Sequence, residues 1–444
     1  MHGPASLSTV ADAGTLPDGP SRPDGGRGPW PPEALAPLGW LLGAVSATVV
    51  VVGGVGLATH RQLDISVYLM GARHLVDGRL YRVGLPSVPH LPFTYPPFAA
   101  LAFVPLTVLG SEPARVVWSL VNVAALFALL WLSIRSAWAA LPPARRTQLA
   151  LVLMAPAYWI EPVHLTFFFG QVNLVLAVFV LADLAGTVRL GTRTLPRGVL
   201  VGVAAAVKLV PLVFVPYLFL TRQARGAWYA LGTFVACSAV SAAFDPRVAW
   251  SYWTRYAFDA SRVGGEYYIS NQSLRAVADR LDHRVVSTDL VTLASLVVLV
   301  AGVLLAGWAH RTSSSLLGIL VCATTGLLVS PITWAHHLVW VVPVLIWLVW
   351  AEDRPAYGRL WAVAGAALFW WAPIWSVSVV PARELDEHGW QMVRANAFFF
   401  AMVVFMAGIT LQLALRARRR HDAGPGGGPV DRARGPDASP TPTH

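Results

Sequence analysis

Long apolar stretches separated by short polar and basic stretches run through most of this chain. Each long stretch has about 17–25 residues, the length that a helix needs to cross a hydrocarbon core of ~30 Å. The pattern predicts an all-α polytopic membrane protein with twelve helices, two of them short. Their predicted ranges are 37–59, 114–138, 147–165, 171–189, 197–207, 211–221, 227–244, 287–309, 313–330, 336–351, 358–379 and 395–415.

Two apolar segments, 93–110 and 197–221, decide the predicted topology. If each crossed the membrane once, six arginines between residues 135 and 197 would lie outside. We therefore predict that 93–110, which contains three prolines, is re-entrant or lies on the surface. We also predict that 197–221 is two half-length helices meeting near Lys208 and Pro211. Every basic cluster then becomes cytoplasmic, as membrane proteins prefer.

This topology puts both termini in the cytoplasm and brings several polar segments to the extracytoplasmic face. Irregular backbone at membrane depth requires protein or a water-filled cavity around it, so we expect a cavity on that face. An apolar groove between 93–110 and 197–221 is also expected. The segments on the outer face are the loop 60–92 with Asp64, 164–171, Lys208, the loop 245–286 and 334–337.

Composition supports this class and limits the possible functions. The 444 residues are 56% hydrophobic and only 13% charged, with a mean hydropathy of +0.57. The formal net charge of +10 follows from arginines beside the apolar stretches, so we expect no nucleic-acid partner. Residues 1–36 and 417–444 are predicted to be disordered cytoplasmic tails around a membrane domain of residues 37–416. The two cysteines lie in apolar stretches and suggest no disulfide.

Asp64 and Lys208 are the first candidates for chemistry. Asp64 lies just beyond the first apolar stretch, where its carboxylate is either a general base or a helix cap. Lys208 lies deep in an apolar segment, where an unpaired cation is costly, so it should face a cavity or a partner. It is either a phosphate contact or a snorkelling or structurally paired lysine.

Further candidates are the histidine pair and several amides. His336 and His337 would point about 100° apart on a helix, which disfavours a shared metal, and we predict no metal site. One of them fits a phosphate or a sugar hydroxyl, unless water or backbone satisfies both. Asn271 and Gln272 lie in an aromatic outer loop that suits carbohydrate or membrane anchoring. Gln171, with Asn173, either lines a cavity or bonds neighbouring helices.

In order and spacing, these segments resemble the polyprenol-phosphate-mannose-dependent mannosyltransferases of actinobacteria, glycosyltransferase family 87 of the GT-C superfamily. Ala335 departs from the resemblance, because we expect an acidic residue there in many relatives. The segments that carry it are Asp64-Ile-Ser-Val-Tyr68, Leu80-Tyr81, Pro92-Phe-Thr-Tyr-Pro-Pro-Phe98, Gly170-Gln-Val-Asn173, Lys208-Leu-Val-Pro211, Asn271-Gln-Ser273 and Ser330-Pro-Ile-Thr-Trp-Ala-His-His337.

The resemblance implies a GT-C fold, a polyprenyl-phosphate sugar donor and a glycolipid or glycan acceptor in the cell envelope. It implies that Asp64 is the catalytic base of an inverting mannosyl transfer that uses no cofactor. We assign the donor phosphate to Lys208, His336, His337 and Arg262. Substrate contacts are assigned to Tyr68, Tyr95, Gln171, Asn173, Asn271 and Gln272.

Other functions stay open at this point. A secondary transporter also uses broken helices and a midplane lysine, although here only one half of the chain carries the break. A related enzyme that uses lipid-linked arabinose or glucose would share most of these residues. A purely structural membrane protein would leave Asp64, Lys208 and the outer polar cluster without a reason.

Overall fold

The computed structural model describes residues 35–60, 62–85, 91–186, 188–281, 287–380 and 383–422. Their fold is almost entirely helical, with a single pair of two-residue strands, β1 (Arg189–Leu190) and β2 (Arg193–Thr194). The α-helices are α1 Ala36–Ala58, α2 Leu63–Arg73, α3 Pro97–Phe103, α4 Ser111–Ala137, α5 Pro143–Tyr158, α6 Glu161–Phe169, α7 Asn173–Ala185, α8 Val199–Val207, α9 Phe214–Leu220, α10 Ala224–Phe244, α11 Pro246–Thr254, α12 Leu274–Leu281, α13 Thr288–Thr312, α14 Ser315–Val329, α15 Val341–Trp350, α16 Gly358–Trp371, α17 Trp390–Ala395 and α18 Ala397–Asp422. Short 3₁₀ helices cover Val104–Leu109, Val210–Val213, Tyr256–Phe258, Ala260–Val263, Ala335–Trp340, Pro373–Ser376 and Arg383–Leu385.

Among the described residues, five helices are long and apolar enough to cross a membrane: α1, α4, α10, α13 and α18. A sixth span is possible if α5 and α6, which meet at an angle of 78°, count as one. Shorter apolar helices correspond to the remaining predicted segments. The predicted class, an all-α membrane protein, is confirmed. The predicted number of twelve spans stays a prediction, because many of the matching helices are too short to qualify alone.

The two predicted irregular segments are broken in the structure. In 197–221, α8 ends at Val207, and Lys208 has extended backbone with φ −151° and ψ 127°. A 3₁₀ turn at Val210–Val213 then leads into α9, so the predicted break at Lys208 is confirmed. In 93–110, α3 gives way to a 3₁₀ helix at Val104, next to Pro105. Proline lacks the N–H group that a continuous α-helix would need there.

Most of each predicted tail lies outside the described residues, which begin at Leu35 and end at Asp422. The last helix, α18, continues past the predicted end of the membrane domain at 416. Its last turns contain Arg418, Arg419 and Arg420, and cations at a helix C-terminus are favourable because they face the negative end of the helix dipole.

Buried hydrogen bonds between α1, α2, α4 and α6 hold the start of α2 in place. Arg115 on α4 donates from Nε to the carbonyl oxygen of Ala58 at 2.9 Å. Gln62, just before α2, donates from Nε2 to the carbonyl oxygen of Phe167 at 2.6 Å. Trp118 Nε1 reaches the carbonyl oxygen of Gly170 at 2.9 Å. Together they bring Asp64 on α2 close to the segment that follows α6.

Gly170 ends α6 in the left-handed region, with φ +71°. A Cβ there would lie 2.8 Å from the Ile65 side chain, so a larger residue would both strain the backbone and push α2 away. This close approach of α6 and α2 lets Gln171, the next residue, reach the site.

Candidate functional site

Asp64 lies in the first turn of α2, an eleven-residue helix that is too short to cross a membrane. Its side chain is partly exposed, yet burial of the carboxyl group raises its pKa from 3.8 to about 6. A hydrogen bond with the Gln171 side chain and the charge of Lys208 act in the opposite direction. A carboxyl group with this pKa is ionised at neutral pH and still basic enough to accept a proton.

Tyr68, Tyr95 and Gln171 form a hydrogen-bonded group beside Asp64. Tyr68 donates to Gln171 Oε1 at 2.9 Å, and its hydroxyl lies 3.1 Å from the hydroxyl of Tyr95. Gln171 Nε2 lies 3.4 Å from the Tyr95 hydroxyl. Tyr68 also stacks on Phe103, with ring centroids 4.5 Å apart. These contacts leave Gln171 little freedom and hold its amide next to the carboxylate.

Lys208 has two hydrogen-bond partners. Its Nζ donates to Asn173 Oδ1 at 2.9 Å and lies 2.9 Å from His337 Nε2. It also lies 5.7 Å from the ring centre of Tyr95, within range of a cation–π contact. Because α8 stops at Val207, the lysine leaves the helix and reaches α7 and the 3₁₀ helix 335–340. Of the roles predicted for Lys208, these contacts fit a structurally paired lysine and are compatible with a phosphate contact, and they do not fit a lysine that snorkels towards the membrane surface.

His336 and His337 differ in their surroundings. His337 contacts Lys208, whereas neither ring nitrogen of the buried His336 has a partner among the described residues. The His336 ring lies 5.3 Å from that of Phe169 and 4.8 Å from that of His337. Its backbone carbonyl accepts a hydrogen bond from Asn173 Nδ2 at 2.9 Å. Only one histidine therefore meets the cation, as expected for adjacent residues.

An apolar pocket begins at this cation. Asn173, Lys208 and His337 form its polar end. The lining comes from 173–180, 208–214 and 323–340, and not from 93–110, which we expected to contribute to an apolar groove. Its apolar walls are formed by Leu176, Ala177, Val180, Val210, Pro211, Val213, Phe214, Ala323, Leu327, Val339 and Trp340.

Arg262 makes its described contacts outside this cluster. It donates from Nη2 to the carbonyl oxygen of Tyr81 at 2.7 Å and lies over the ring of Tyr256 at 4.3 Å. The connection to the cluster is indirect, because the Tyr81 hydroxyl donates to the carbonyl oxygen of Tyr95 at 2.8 Å. We therefore interpret Arg262 as holding Tyr81 in place.

Asn271 and Gln272 are completely buried, and their side chains bond to the protein itself. Asn271 Oδ1 accepts from the backbone N–H of Thr333 at 2.8 Å. Gln272 Nε2 donates to the carbonyl oxygen of Ala395 at 2.9 Å, and its Oε1 accepts from the N–H of Phe399 at 3.1 Å. These bonds differ from the predicted substrate contacts. The bond of Asn271 fixes the segment that leads to His336, and those of Gln272 fix the junction of α17 and α18, so we interpret both residues as supports.

Two supporting residues escaped the sequence analysis, Gln62 and Arg280. Both are buried polar side chains. Gln62 donates to the carbonyl oxygen of Phe167 and to Ser119 Oγ, and Arg280 donates to three carbonyl oxygens of its own loop and to Asn396 Oδ1. Their only signal in the sequence is a polar residue close to apolar stretches, which many other positions share. Within the described ranges, no group of three or more His, Cys, Asp and Glu side chains is arranged to hold a metal ion.

Comparison with known proteins identifies similar sequences. The model of glycosyltransferase family 87 matches residues 93–331. A polyprenol-phosphate-mannose-dependent alpha-(1-2)-phosphatidylinositol mannoside mannosyltransferase of Mycobacterium tuberculosis is 33% identical over 86% of this chain and 92% of its own length. The protein of the same description from Mycolicibacterium smegmatis is also 33% identical, over 77% of this chain and 83% of its own length. A polyprenol-phosphate-mannose-dependent alpha-(1-2)-phosphatidylinositol pentamannoside mannosyltransferase of M. tuberculosis is 35% identical over 70% of this chain and 69% of its own length. No solved structure matches.

Proposed function

Because the chain belongs to glycosyltransferase family 87, we propose that it is a polyprenol-phosphate-mannose-dependent α-mannosyltransferase of the cell envelope. The acceptor that we propose is a phosphatidylinositol mannoside, since the relatives named above act on such glycolipids. One observation carries the proposal: the carboxylate of Asp64, bonded to Gln171, lies close enough to Lys208 to feel its charge, and Lys208 lies at the polar end of an apolar pocket. The reaction needs three parts: a base for the acceptor, a cation for the leaving phosphate and an apolar pocket for the lipid of the donor.

The proposed reaction is a single displacement with inversion. The Asp64 carboxylate takes the proton of an acceptor hydroxyl, whose oxygen forms a bond to the anomeric carbon of a β-linked mannosyl phosphate. The bond from that carbon to the phosphate oxygen breaks, and its electron pair leaves with the polyprenyl phosphate. The product is α-linked. Gln171 keeps the carboxylate oriented, since it bonds both Asp64 and Tyr68.

Lys208 is the proposed electrostatic contact of the leaving phosphate, whose negative charge grows in the transition state. The cation is already oriented by Asn173 and His337, so little rearrangement is needed when charge develops. The unpartnered ring of His336 is proposed to donate a hydrogen bond to the same phosphate or to the mannose. The apolar walls beyond Lys208 would then receive the first isoprene units of the donor lipid.

We further propose that the site faces the extracytoplasmic side, that the chain crosses the membrane many times and that both termini are cytoplasmic. Arg115, at the start of α4, bonds the end of α1 close to Asp64. Helix α4 as a whole has 27 residues and is about 40 Å long. Its far end carries Arg135, close to Arg146 of α5, and both guanidinium groups lie over the ring of Trp131. Basic residues opposite the site support this orientation.

A transfer assay tests the proposal. We compare membranes that contain wild type, Asp64→Asn or the control Asp289→Asn at matched protein level. Each sample receives polyprenyl phosphate mannose, labelled in its mannose, and phosphatidylinositol mannosides. Asp289 is exposed at the start of α13 and lies outside the site. We expect labelled glycolipid from wild type and from the control. Loss of a general base should reduce transfer by Asp64→Asn about 10²–10⁴-fold.

Three outcomes would contradict parts of the proposal. Wild-type turnover by Asp64→Asn would place the base elsewhere. Transfer from an arabinosyl or glucosyl donor, but not from the mannosyl donor, would change the sugar. Uptake of a solute by proteoliposomes, without any sugar transfer, would favour a transporter.

A further inference from the structure

A second group of polar and aromatic side chains lies where α5 and α6 meet, at the opposite end of α6 from the catalytic cluster. Trp159 is about half exposed, at 51%. Its ring is nearly parallel to the ring of His164, at 14°, with centroids 5.3 Å apart. Glu161 accepts a hydrogen bond from the indole N–H of Trp375, in the 3₁₀ helix 373–376. None of these four residues belongs to the catalytic cluster.

The chemistry of this group suits a carbohydrate. One face of Trp159 lies against His164, and the exposed part of the indole is available for the C–H face of a sugar. Glu161 uses Oε1 for Trp375, while its Oε2 accepts no hydrogen bond from any described residue. Carboxylate oxygens accept hydroxyl hydrogen bonds strongly. The Nδ1 atom of His164 is also buried without a partner in the described part of the chain.

The position of the group relates it to the catalytic cluster. Helix α6 has nine residues, about 13 Å, and Glu161 is its first residue. At the other end, Phe169 contacts the ring of His336, and Gly170 leads to Gln171. The bend of 78° between α5 and α6 lets α6 run in a different direction from α5. A glycan with its reacting sugar at Asp64 would have to extend along α6 to reach Glu161.

We propose that Trp159 and Glu161, supported by His164 and Trp375, form a subsite for a non-reacting mannose of the acceptor. Trp159 stacks on that sugar and Glu161 accepts its hydroxyl groups. The subsite selects acceptors that already carry more than one mannose. This inference rests on the proposed function, because it assigns a second contact of the same acceptor.

The alternative is that Glu161 and Trp375 only fasten the 3₁₀ helix 373–376 to α6. Two substitutions separate these roles. Glu161→Gln keeps a carbonyl oxygen for the indole N–H but removes the charge, whereas Trp375→Phe removes the fastening and keeps the carboxylate. Trp159→Ala removes the stacking surface. Trp361→Ala is the matched control. Trp361 is a similarly exposed tryptophan, at 54%, and it lies near the start of α16, whereas Trp375 follows the end of that helix.

The experiment compares two acceptors, a phosphatidylinositol dimannoside and the single-sugar octyl α-mannoside. For Glu161→Gln we expect the KM for the dimannoside to rise about tenfold, the size of one lost charged hydrogen bond. For Trp159→Ala we expect this KM to rise as well, because the sugar loses its stacking surface. The KM values for octyl mannoside and for the donor should not change, and Trp361→Ala should match wild type. An equal rise for both acceptors, or no rise for either, would overturn the subsite.

A binding measurement keeps the two proposals apart. Saturation-transfer NMR with methyl α-mannobioside on the detergent-solubilised full chain does not depend on turnover. Binding by wild type that is lost in Trp159→Ala would support the subsite, even if no mannosyl transfer were detected and the proposed function failed. No binding by wild type, or unchanged binding by the variant, would overturn the subsite while leaving mannosyl transfer unaffected.

Discussion

Lys208 and His337 meet at 2.9 Å between Nζ and Nε2, although 129 positions separate them in the chain. An ammonium group only donates hydrogen bonds, so Nε2 is the nitrogen of His337 that accepts, and Nδ1 carries the proton. Asn173 Oδ1 accepts a second bond from Nζ. Two separate helical segments, α7 and the 3₁₀ helix 335–340, thus hold one cation at the polar end of the apolar pocket.

Replacement of Lys208 should affect the chemical step. We expect Lys208→Met to lower kcat about 10²–10³-fold, because the leaving phosphate loses its electrostatic partner. Lys208→Arg keeps the charge but has a larger, planar head group, so it should retain an intermediate activity. Steady-state kinetics with the mannosyl donor measure both. Arg418→Met, at an exposed position near the end of α18, is the control.

Lys208 is the only lysine in the sequence, which allows a second readout. An amine-reactive reagent should modify it more slowly when polyprenyl phosphate is present, as followed by mass spectrometry of the peptide that contains it. Equal modification with and without the lipid, or full activity of Lys208→Met, would show that the phosphate binds elsewhere.

The pH dependence of turnover should follow the ionisation of Asp64. Burial raises the pKa of this carboxyl group to about 6, and only its ionised form accepts a proton from the acceptor. We expect kcat/KM to be constant above this pH and to fall about tenfold per unit below it. Gln171→Ala removes a hydrogen bond that lowers the pKa, so the acid limb should move to higher pH.

The pH profile of kcat/KM is compared with that of a control variant, and two results would contradict the prediction. Asp289→Asn should give the wild-type profile, because this residue lies outside the site. A profile that is flat between pH 5 and 7, or an acid limb that Gln171→Ala leaves in place, would contradict the role of Asp64. Ranges of donor and acceptor concentration are needed to separate ionisation from binding.

Asp64 should also lower stability at neutral pH. Its pKa is higher in the folded protein, about 6, than the usual 3.8, so folding favours the protonated form. Its destabilising effect is absent below pH 3.8, grows as the pH rises towards 6 and is complete above that. Asp64→Asn removes this cost, which is about 3 kcal/mol at most. We expect a higher Tm for this variant than for wild type at pH 7, and the same Tm or a lower one would contradict this.

The membrane class and the break at Lys208 could be predicted because both depend on local patterns. Apolar length predicts helices, and a lone cation beside Pro211 in an apolar segment predicts a break. The roles of the amides could not be predicted. The side chains of Gln171 and Asn173 bond to residues of the cluster, whereas those of Asn271 and Gln272 bond to backbone groups of distant segments. Such pairings depend on tertiary structure.

The histidine pair shows the same limit. The sequence predicts that two adjacent side chains diverge, but it does not say which one turns to the cation. The answer depends on a 3₁₀ helix at Ala335–Trp340 that is kinked at Leu338 and directs His337 to Lys208. The contacts of Arg262 could not be predicted for a related reason, since those with Tyr81 and Tyr256 form only once the outer loop has folded.

Among the residues of the outer loop, we expect replacement of Arg280 to lower the stability of the fold the most. It is completely buried, and its guanidinium group donates to the carbonyl oxygens of Tyr267, Tyr268 and Asn271 and to Asn396 Oδ1. Hydrogen bonds from a charged group contribute about 1.5–3 kcal/mol each, and their acceptors would be left buried and unpaired. We expect Arg280→Met to destabilise the fold by about 3 kcal/mol or more, measured as a lower Tm in detergent.

The same substitution should weaken donor binding before the protein unfolds. Arg280 fixes Asn271, whose side chain holds the N–H of Thr333, and Thr333 leads into the segment that carries His337. At a temperature where the variant is still folded, the KM for the donor should rise while the KM for the acceptor changes less. Arg247→Met, at an exposed arginine of α11, should leave Tm and both KM values unchanged. A normal Tm and donor KM in Arg280→Met would show that the outer loop does not position the phosphate site.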